Sequence, residues 1–455
     1  MEMTTAQVWQ MVGAALVLLM TPALAFFYGG MTRAKSTLNM MMMSFVAIGL
    51  VGVVWVLWGY SMATGGTSVG GLFGDPLTAF GLKGLLSGES FDAGALIGVG
   101  YQATFAIITV ALISGAIADR AKFGAWALFV PIWVSVVYCP IAFWVWGGGL
   151  LSSDGAIGSW AGEAIDYAGG TVVHINAGVA GLILALILGK RMGFGTDPRQ
   201  RPHNIPFVMI GAALLWFGWF GFNGGAASTA GEAGLIWVNT LVAPGAAMLG
   251  WLLTERIRDG HPTSLGAASG VVAGLVAITP ACANITPVAA IGLGLVAGVA
   301  SALAVGLKYR WGFDDSLDVV GVHLVSGIIG TLALGFIAVP DAEGHGGGLF
   351  YGGGFAQLWA QLVAVVVAMA WTAIATTIIG LAIHRTIGFR VSAKAEVLGV
   401  DLSEHAETAY EFAGLGTGSR LVPHPATSSH LRQPQPVGAA SAAQTASAPS
   451  TTQEH

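Results

Sequence analysis

Val173-His174-Ile175-Asn176-Ala177-Gly178 and Val322-His323-Leu324-Val325-Ser326-Gly327 set two histidines into apolar stretches in the same local frame. Glycines follow each histidine by four and seven positions, Gly178 and Gly181 in the first copy, Gly327 and Gly330 in the second. An ionisable side chain inside a membrane helix is expensive, and by default it marks a functional site. A lone buried histidine is more often a hydrogen-bonded core group. Two in one repeated frame point instead to an internal duplication, the arrangement by which many transporters build a central site.

The rest of the chain agrees with a membrane setting. Of its 455 residues 55% are hydrophobic and only 9% charged, and the mean hydropathy is +0.74. No soluble domain of this length needs so much apolar surface. The 68 glycines suit helices that pack closely through small side chains. The opening Met1-Glu2-Met3-Thr4-Thr5 has no basic region, so the first apolar stretch reads as a retained span rather than a cleaved signal. Cys139 and Cys282 lie far apart in apolar segments and read as small core residues, with no metal site.

Apolar windows fall at 7–31, 38–63, 97–118, 124–149, 168–189, 205–226, 235–254, 264–281, 286–307, 319–339 and 357–384. Each is long enough to cross a hydrocarbon core of ~30 Å. Between them the basic residues alternate: Arg33, Lys35, Arg120, Lys122, Lys190, Arg191, Arg256, Arg258, Lys308 and Arg310 all follow odd-numbered spans. Of the eighteen Lys and Arg only Lys83 falls on the other side. The basic side is then the cytoplasm, with the N-terminus outside and the C-terminus inside. Acidic loop residues, among them Asp75, Glu89, Asp92, Asp154, Glu163, Asp166, Glu232, Asp341 and Glu343, gather on the outer side, mostly as solvated loops under the positive-inside bias, with mild concentration of a cation as the alternative reading. The Gly-rich loop from 64 to 96 has room for a short helix.

The expected fold is therefore an all-α polytopic membrane protein of eleven transmembrane helices. Helices 1–5 (about 7–190) and 6–10 (about 205–340) form an inverted pseudo-twofold repeat, because five is odd and the second copy starts on the opposite side. Phe27-Tyr28-Gly29-Gly30 is echoed weakly by Phe222-Asn223-Gly224-Gly225. Helix 11 (about 357–384) has no counterpart and should wrap the outside. The transport domain then spans 1–389, a charged cytoplasmic segment with a regulatory role spans 390–413, and the Ser/Ala/Gln/Pro-rich residues 414–455 are expected to be disordered.

Aromatic residues crowd three places: Tyr101-Gln102-Ala103-Thr104-Phe105, Phe143-Trp144-Val145-Trp146, and Trp216-Phe217-Gly218-Trp219-Phe220-Gly221-Phe222. Ring faces attract cations, although aromatics at helix ends usually form an interfacial belt, the reading preferred for Trp144 and Trp216. Asp166 and Asp318, at the openings of spans five and ten, read as helix N-caps that also place negative charge at a pore entrance. The Gly292-Leu293-Gly294 run lies inside an apolar span and reads as helix packing, not a phosphate loop.

On these motifs, together with Asp166-Tyr167-Ala168-Gly169-Gly170-Thr171, Thr279-Pro280-Ala281-Cys282 and Asp318-Val319-Val320-Gly321-Val322-His323, residues 8–412 resemble the ammonium transporter (Amt/Mep/Rh) family. The resemblance implies an outer cation site at Trp146 and Tyr101, with Phe105, Asp166 and Ala226 beside it. It implies a gate of Phe105 stacked on Phe222, and a pore lined by His174 and His323 with Trp219, Phe27 and Tyr28. It also implies a homotrimer in the cytoplasmic membrane and docking of a PII-type signalling protein on the inner face. Neither a cofactor nor an enzymatic reaction is implied, and no nucleic-acid partner. Two departures matter, and the first is that the usual Asn-x-Gly-Ser reads Asn223-Gly224-Gly225-Ala226, removing a hydroxyl from the outer site unless Ser228 replaces it. Tyr101 also stands where Phe is common.

The physics constrains the transported species. Like the ammonium of Lys, whose pKa is ~10.4, the ion is charged at neutral pH. Desolvating it costs on the order of 20 kcal/mol by Born arithmetic, and cation–π contacts return only ~2 kcal/mol each. The expectation is recruitment of the cation, loss of its proton near the gate, and passage of neutral ammonia along His174 and His323, with methylammonium as a surrogate. Rival readings are an ammonium sensor signalling through 390–412, a Rh-like gas channel, and a bis-histidine haem protein.

Overall fold

The computed structural model describes residues 3–64, 66–86, 92–197, 201–340 and 346–410. Among these, eleven helices are long and apolar enough to cross a membrane. Spans one to five are Thr5–Met31, Thr37–Thr64, Gly94–Ile117, Phe123–Trp146 and Gly170–Leu188. Spans six to ten are Ile205–Gly224, Ala230–Arg258, Ser264–Ala281, Pro287–Trp311 and Val320–Ile337, and span eleven is Ala356–Thr386. The second repeat shows why the chain breaks where it does. Asn204, Thr229, Thr263 and Thr286 each accept a backbone N–H three residues on, capping spans six to nine with a side-chain oxygen. Among its described residues, the loop after span two holds a two-residue strand pair and a 3-10 turn at Phe80–Leu82, with no short α-helix of the kind it had room for. Glu89, Arg199, Asp341, Glu343, residues 411–413 and the 414–455 tail lie outside the described residues.

The packing repeats in the way a duplication requires. Span one packs on span three as six does on eight, span two on four as seven on nine, and span three on five as eight on ten. Spans one and six, and spans five and ten, pair across the repeat. Close approaches match too. A Cβ on Gly13 would meet Gly225 Cα at 2.8 Å, and one on Gly30 would meet Val208 N at 2.9 Å. The register that aligns Phe27-Tyr28-Gly29-Gly30 with Phe222-Asn223-Gly224-Gly225 turns one of these pairs into the other. Span eleven packs on spans four, five and ten.

The face that carries the basic loops is locked by a buried ionic cluster. Arg191 binds Asp314 through two nitrogens, each at 2.9 Å, and Asp119 at 3.0 Å, while Arg120 donates to the carbonyls of Ala116, Ala118 and Asp314 and to Ser316. Burial alone would raise the Asp314 carboxyl, but hydrogen bonds and charge from Arg191, then Arg120, hold it below its ordinary value.

Residues 387–410 fold back over the same face. Phe389 O accepts from Lys122 N, and Val391 N donates to Arg120 O. Three carboxylates then reach backbone N–H groups far away in sequence, two of them at helix starts. Asp401 accepts from the N–H groups of Leu38 and Asn39, Glu404 from Phe123, and Glu396 from Met192. The first two satisfy backbone donors at the starts of spans two and four, groups a helix cannot satisfy itself.

Candidate functional site

Each histidine sits in a π-helical first turn, His174 in Gly170–Ile175 and His323 in Val320–Leu324. Such turns are rare and frequent at functional sites. The antiparallel spans meet at these turns. A Cβ on Gly178 would lie 2.7 Å from Leu324 N, and one on Gly327 would lie 3.3 Å from Ile175 N. Each glycine four residues after one histidine therefore makes room for the residue just after the other. The close approach sets the rings 5.4 Å apart and nearly parallel, with Nδ1 facing Nδ1 at 3.3 Å.

That contact fixes complementary roles. In a neutral pair one Nδ1 must donate and the other accept, so the two Nε2 atoms differ, one an acceptor and the other a donor. His174 Nε2 is buried and has no partner among the described residues. Both side chains are almost fully enclosed.

The column continues toward the face on which the chain begins. Trp219 stacks on His174 at 5.4 Å and donates to Thr279 Oγ1 at 2.8 Å, which ties spans six and eight together. Phe222 lies 6.0 Å from His174 and stacks on Phe105 at 4.3 Å. Above that stack opens a cavity of about 180 Å³ lined by Gln10, Tyr101, Gln102, Phe105, Trp146, Tyr167, Ala168, Phe222, Asn223 and Ala226. Trp146 stands edge-on to Phe105 at 6.1 Å, and Tyr101 lies 4.9 Å from Phe105.

The sequence had pointed to Trp146, Tyr101, Phe105, Phe222 and Ala226, and the fold brings all five to this cavity. It had not pointed to Gln10, Gln102 or Tyr167, although Gln102 and Tyr167 each adjoin a residue that was singled out. The Tyr101 hydroxyl faces the carbonyls of Gly221 and Phe222, at 3.1 and 2.9 Å, and donates toward them. Ser228 does not stand in for the hydroxyl absent at Ala226: its Oγ bonds Glu232 at 2.9 Å and it is not a lining residue.

Asp166 lies behind the cavity. Its two oxygens accept from the N–H groups of Gly169, Gly170, Thr171 and Val172, and its carbonyl accepts from Trp146 Nε1 at 2.8 Å. The carboxylate thus starts span five, and the backbone carbonyl of the same residue aims the Trp146 ring; Asp166 itself is not among the residues that line the cavity.

For span ten the cap is Asp315, whose oxygens accept from Val319 and Val320 N–H. The expected cap, Asp318, has φ +64° and binds Lys308 Nζ at 2.6 Å instead. It lines a cavity of about 140 Å³ at the basic face with Arg33, Asp119, Arg191 and Lys308. The missed signal was spacing, since Asp166 and Asp315 each stand eight residues before their histidine.

Phe27 and Tyr28 pair with each other at 5.9 Å, and the Tyr28 hydroxyl donates to Leu112 O. Among the described residues no ring contact links them to the histidines. Trp144 departs from the belt expectation, being buried with its indole donating to Leu72 O.

An enclosed column of rings that holds one polar pair beneath a ring stack, set among eleven membrane-length helices, suits a membrane transporter of a small solute. Comparison narrows the class: the Ammonium Transporter Family model matches residues 8–410, and the chain belongs to that family. An ammonium transporter of Mycobacterium tuberculosis is 53% identical over 442 residues, covering 91% of this chain and 92% of the relative. The crystal structure of Candida albicans Mep2 superposes with a TM-score of 0.78 at 33% identity, over 89% of this chain and 90% of that one. A structure described as a sensor Amt protein gives 0.79 at 27% identity, over 88% and 98%.

Proposed function

We propose that this chain carries ammonium across the cytoplasmic membrane, binding the cation in the aromatic cavity and passing neutral ammonia along the histidine pair. The observation that carries the reading is the His174–His323 pair, directly beneath a closed ring stack. The cavity suits a cation, because five aromatic side chains line it and each face is worth ~0.5–2 kcal/mol. The column below does not suit one. Its rings and two imidazoles cannot offset a desolvation cost on the order of 20 kcal/mol. A neutral molecule that donates and accepts hydrogen bonds finds one partner of each kind in the two Nε2 atoms.

In this reading the proton leaves near Phe105 and Phe222, and ammonia is reprotonated inside. The basic face is cytoplasmic and the cavity opens outside, in keeping with the loop charges. The working assembly is a homotrimer embedded in lipid, with one pore per subunit. Residues 1–389 form the transport domain, and 390–413 form the regulatory segment on which a PII-type protein would dock. Support for the last point is the carboxylate caps from Asp401 and Glu404, which couple that segment to spans two and four, and the Glu396 contact with the turn after span five. A haem between the histidines is disfavoured, because their Nδ1 atoms already face each other at hydrogen-bonding distance.

Reconstituted vesicles should take up methylammonium with a rate that saturates as concentration rises. A rate that stays linear and equals that of protein-free vesicles would remove the proposal, and a linear but protein-dependent rate would favour a gas channel.

A further inference from the structure

The outer cavity is rich in rings and short of acceptors. An ammonium ion brings four N–H donors, and hydrogen bonds with a charged partner are roughly twice as strong as neutral ones. Ala168 and Ala226 contribute no side-chain acceptor, and the Trp146 indole donates only, to Asp166 O. Asn223 is spent inward, its Nδ2 on Thr240 and its Oδ1 accepting from Thr279.

Two oxygens stand out. Gln102 Oε1 is buried without a partner among the described residues. Tyr167 is half-buried at the cavity wall, and its hydroxyl donates to Glu232 Oε1 at 2.7 Å. The other Glu232 oxygen accepts from Ser228 N and Oγ at 2.8 and 2.9 Å, so the carboxylate is pinned behind the tyrosine.

We propose that the Tyr167–Glu232 pair, with Gln102, is the polar half of the outer cation site, Tyr167 Oη accepting an N–H of the ion while Glu232 holds its proton. This rests on the recruitment reading above. Donation to a carboxylate increases the electron density on the phenol oxygen, and so its strength as an acceptor. Burial, then Glu232, holds the phenol well above its ordinary pKa, so it remains the donor in that bond. The full charge of Glu232 sits one hydrogen bond from the ion rather than against it. The site therefore attracts a cation without trapping it.

The test is the concentration dependence of methylammonium uptake in vesicles containing the full chain. Tyr167→Phe keeps the ring and removes the oxygen. Its half-saturation concentration should rise roughly tenfold while the maximal rate stays within about twofold, as for loss of one charge-assisted bond. Ala226→Ser added to Tyr167→Phe returns an oxygen to the cavity and should recover part of the shift, which a merely structural role for the tyrosine would not allow. If Tyr167→Phe does not fold, Glu232→Gln carries the test with a smaller rise. An unchanged half-saturation concentration in a folded variant overturns the proposal. Absence of saturable uptake in the unaltered protein would instead overturn the transport reading.

Discussion

His174→Ala and His323→Ala should each lower methylammonium uptake by at least roughly thirtyfold, the rate equivalent of losing ~2 kcal/mol of hydrogen bonding for a polar molecule in an apolar passage. Either change removes one of the two Nε2 partners and leaves the other ring's Nδ1 without its 3.3 Å contact. Neighbouring groups cannot take over. Trp219 Nε1 is committed to Thr279, and Phe222 has no hydrogen-bonding group. The spans themselves should remain assembled, since the ionic cluster at the basic face and the caps of spans six to nine lie elsewhere. Uptake and thermal unfolding in detergent, measured on the same preparations, separate lost function from lost fold. Wild-type uptake in both single variants would contradict the assignment.

Gly178→Ala should be nearly as damaging although it touches no solute. The new methyl would fall 2.6 Å from Leu324 Cβ and 2.7 Å from Leu324 N, and a backbone atom cannot rotate away. Spans five and ten must then separate at their first turns, where the histidines meet. Overpacking of this kind costs ~1–3 kcal/mol of stability, and displacement by ~1 Å of groups that act together can cost roughly a hundredfold in rate. Gly49→Ala in span two is the control, because nothing lies within 4 Å of its added Cβ. The measurement is initial uptake rate against unfolding temperature for both variants. Equal rates in Gly178→Ala and Gly49→Ala would show that the close approach is not needed.

Much of this architecture was legible because membrane chemistry writes it locally. Each span is a continuous apolar run, and loop charges alternate with span number, so a miscounted helix would have scrambled Arg33, Arg120, Arg191, Arg256 and Lys308. The duplicated histidine frames carried their glycines with them, and the structure gives those glycines a reciprocal packing role. Asp166 was legible as a cap because it stands alone before its span.

Its counterpart was not, for a physical reason. Asp314, Asp315 and Asp318 crowd one turn, and their three fates depend on partners from elsewhere in the fold. Asp314 goes to Arg191, Asp315 to the helix start and Asp318 to Lys308. The Tyr167–Glu232 bond, the caps from Asp401 and Glu404 and the Glu396 contact with Met192 were hidden for the same reason, since each joins segments distant in sequence. The motif around Asn223 exposed the missing hydroxyl at Ala226. Only the assembled cavity shows which oxygens stand near the gap.

The claim that matters most is that the histidine section passes a neutral molecule. Rubidium tests it directly, being a monovalent cation with no proton to surrender. In vesicles that accumulate methylammonium, tracer rubidium should enter no faster than in vesicles without protein, at every concentration and membrane potential applied. Rubidium entry that depends on the protein and disappears with His174→Ala would mean that the intact cation crosses the passage, and the account would be wrong.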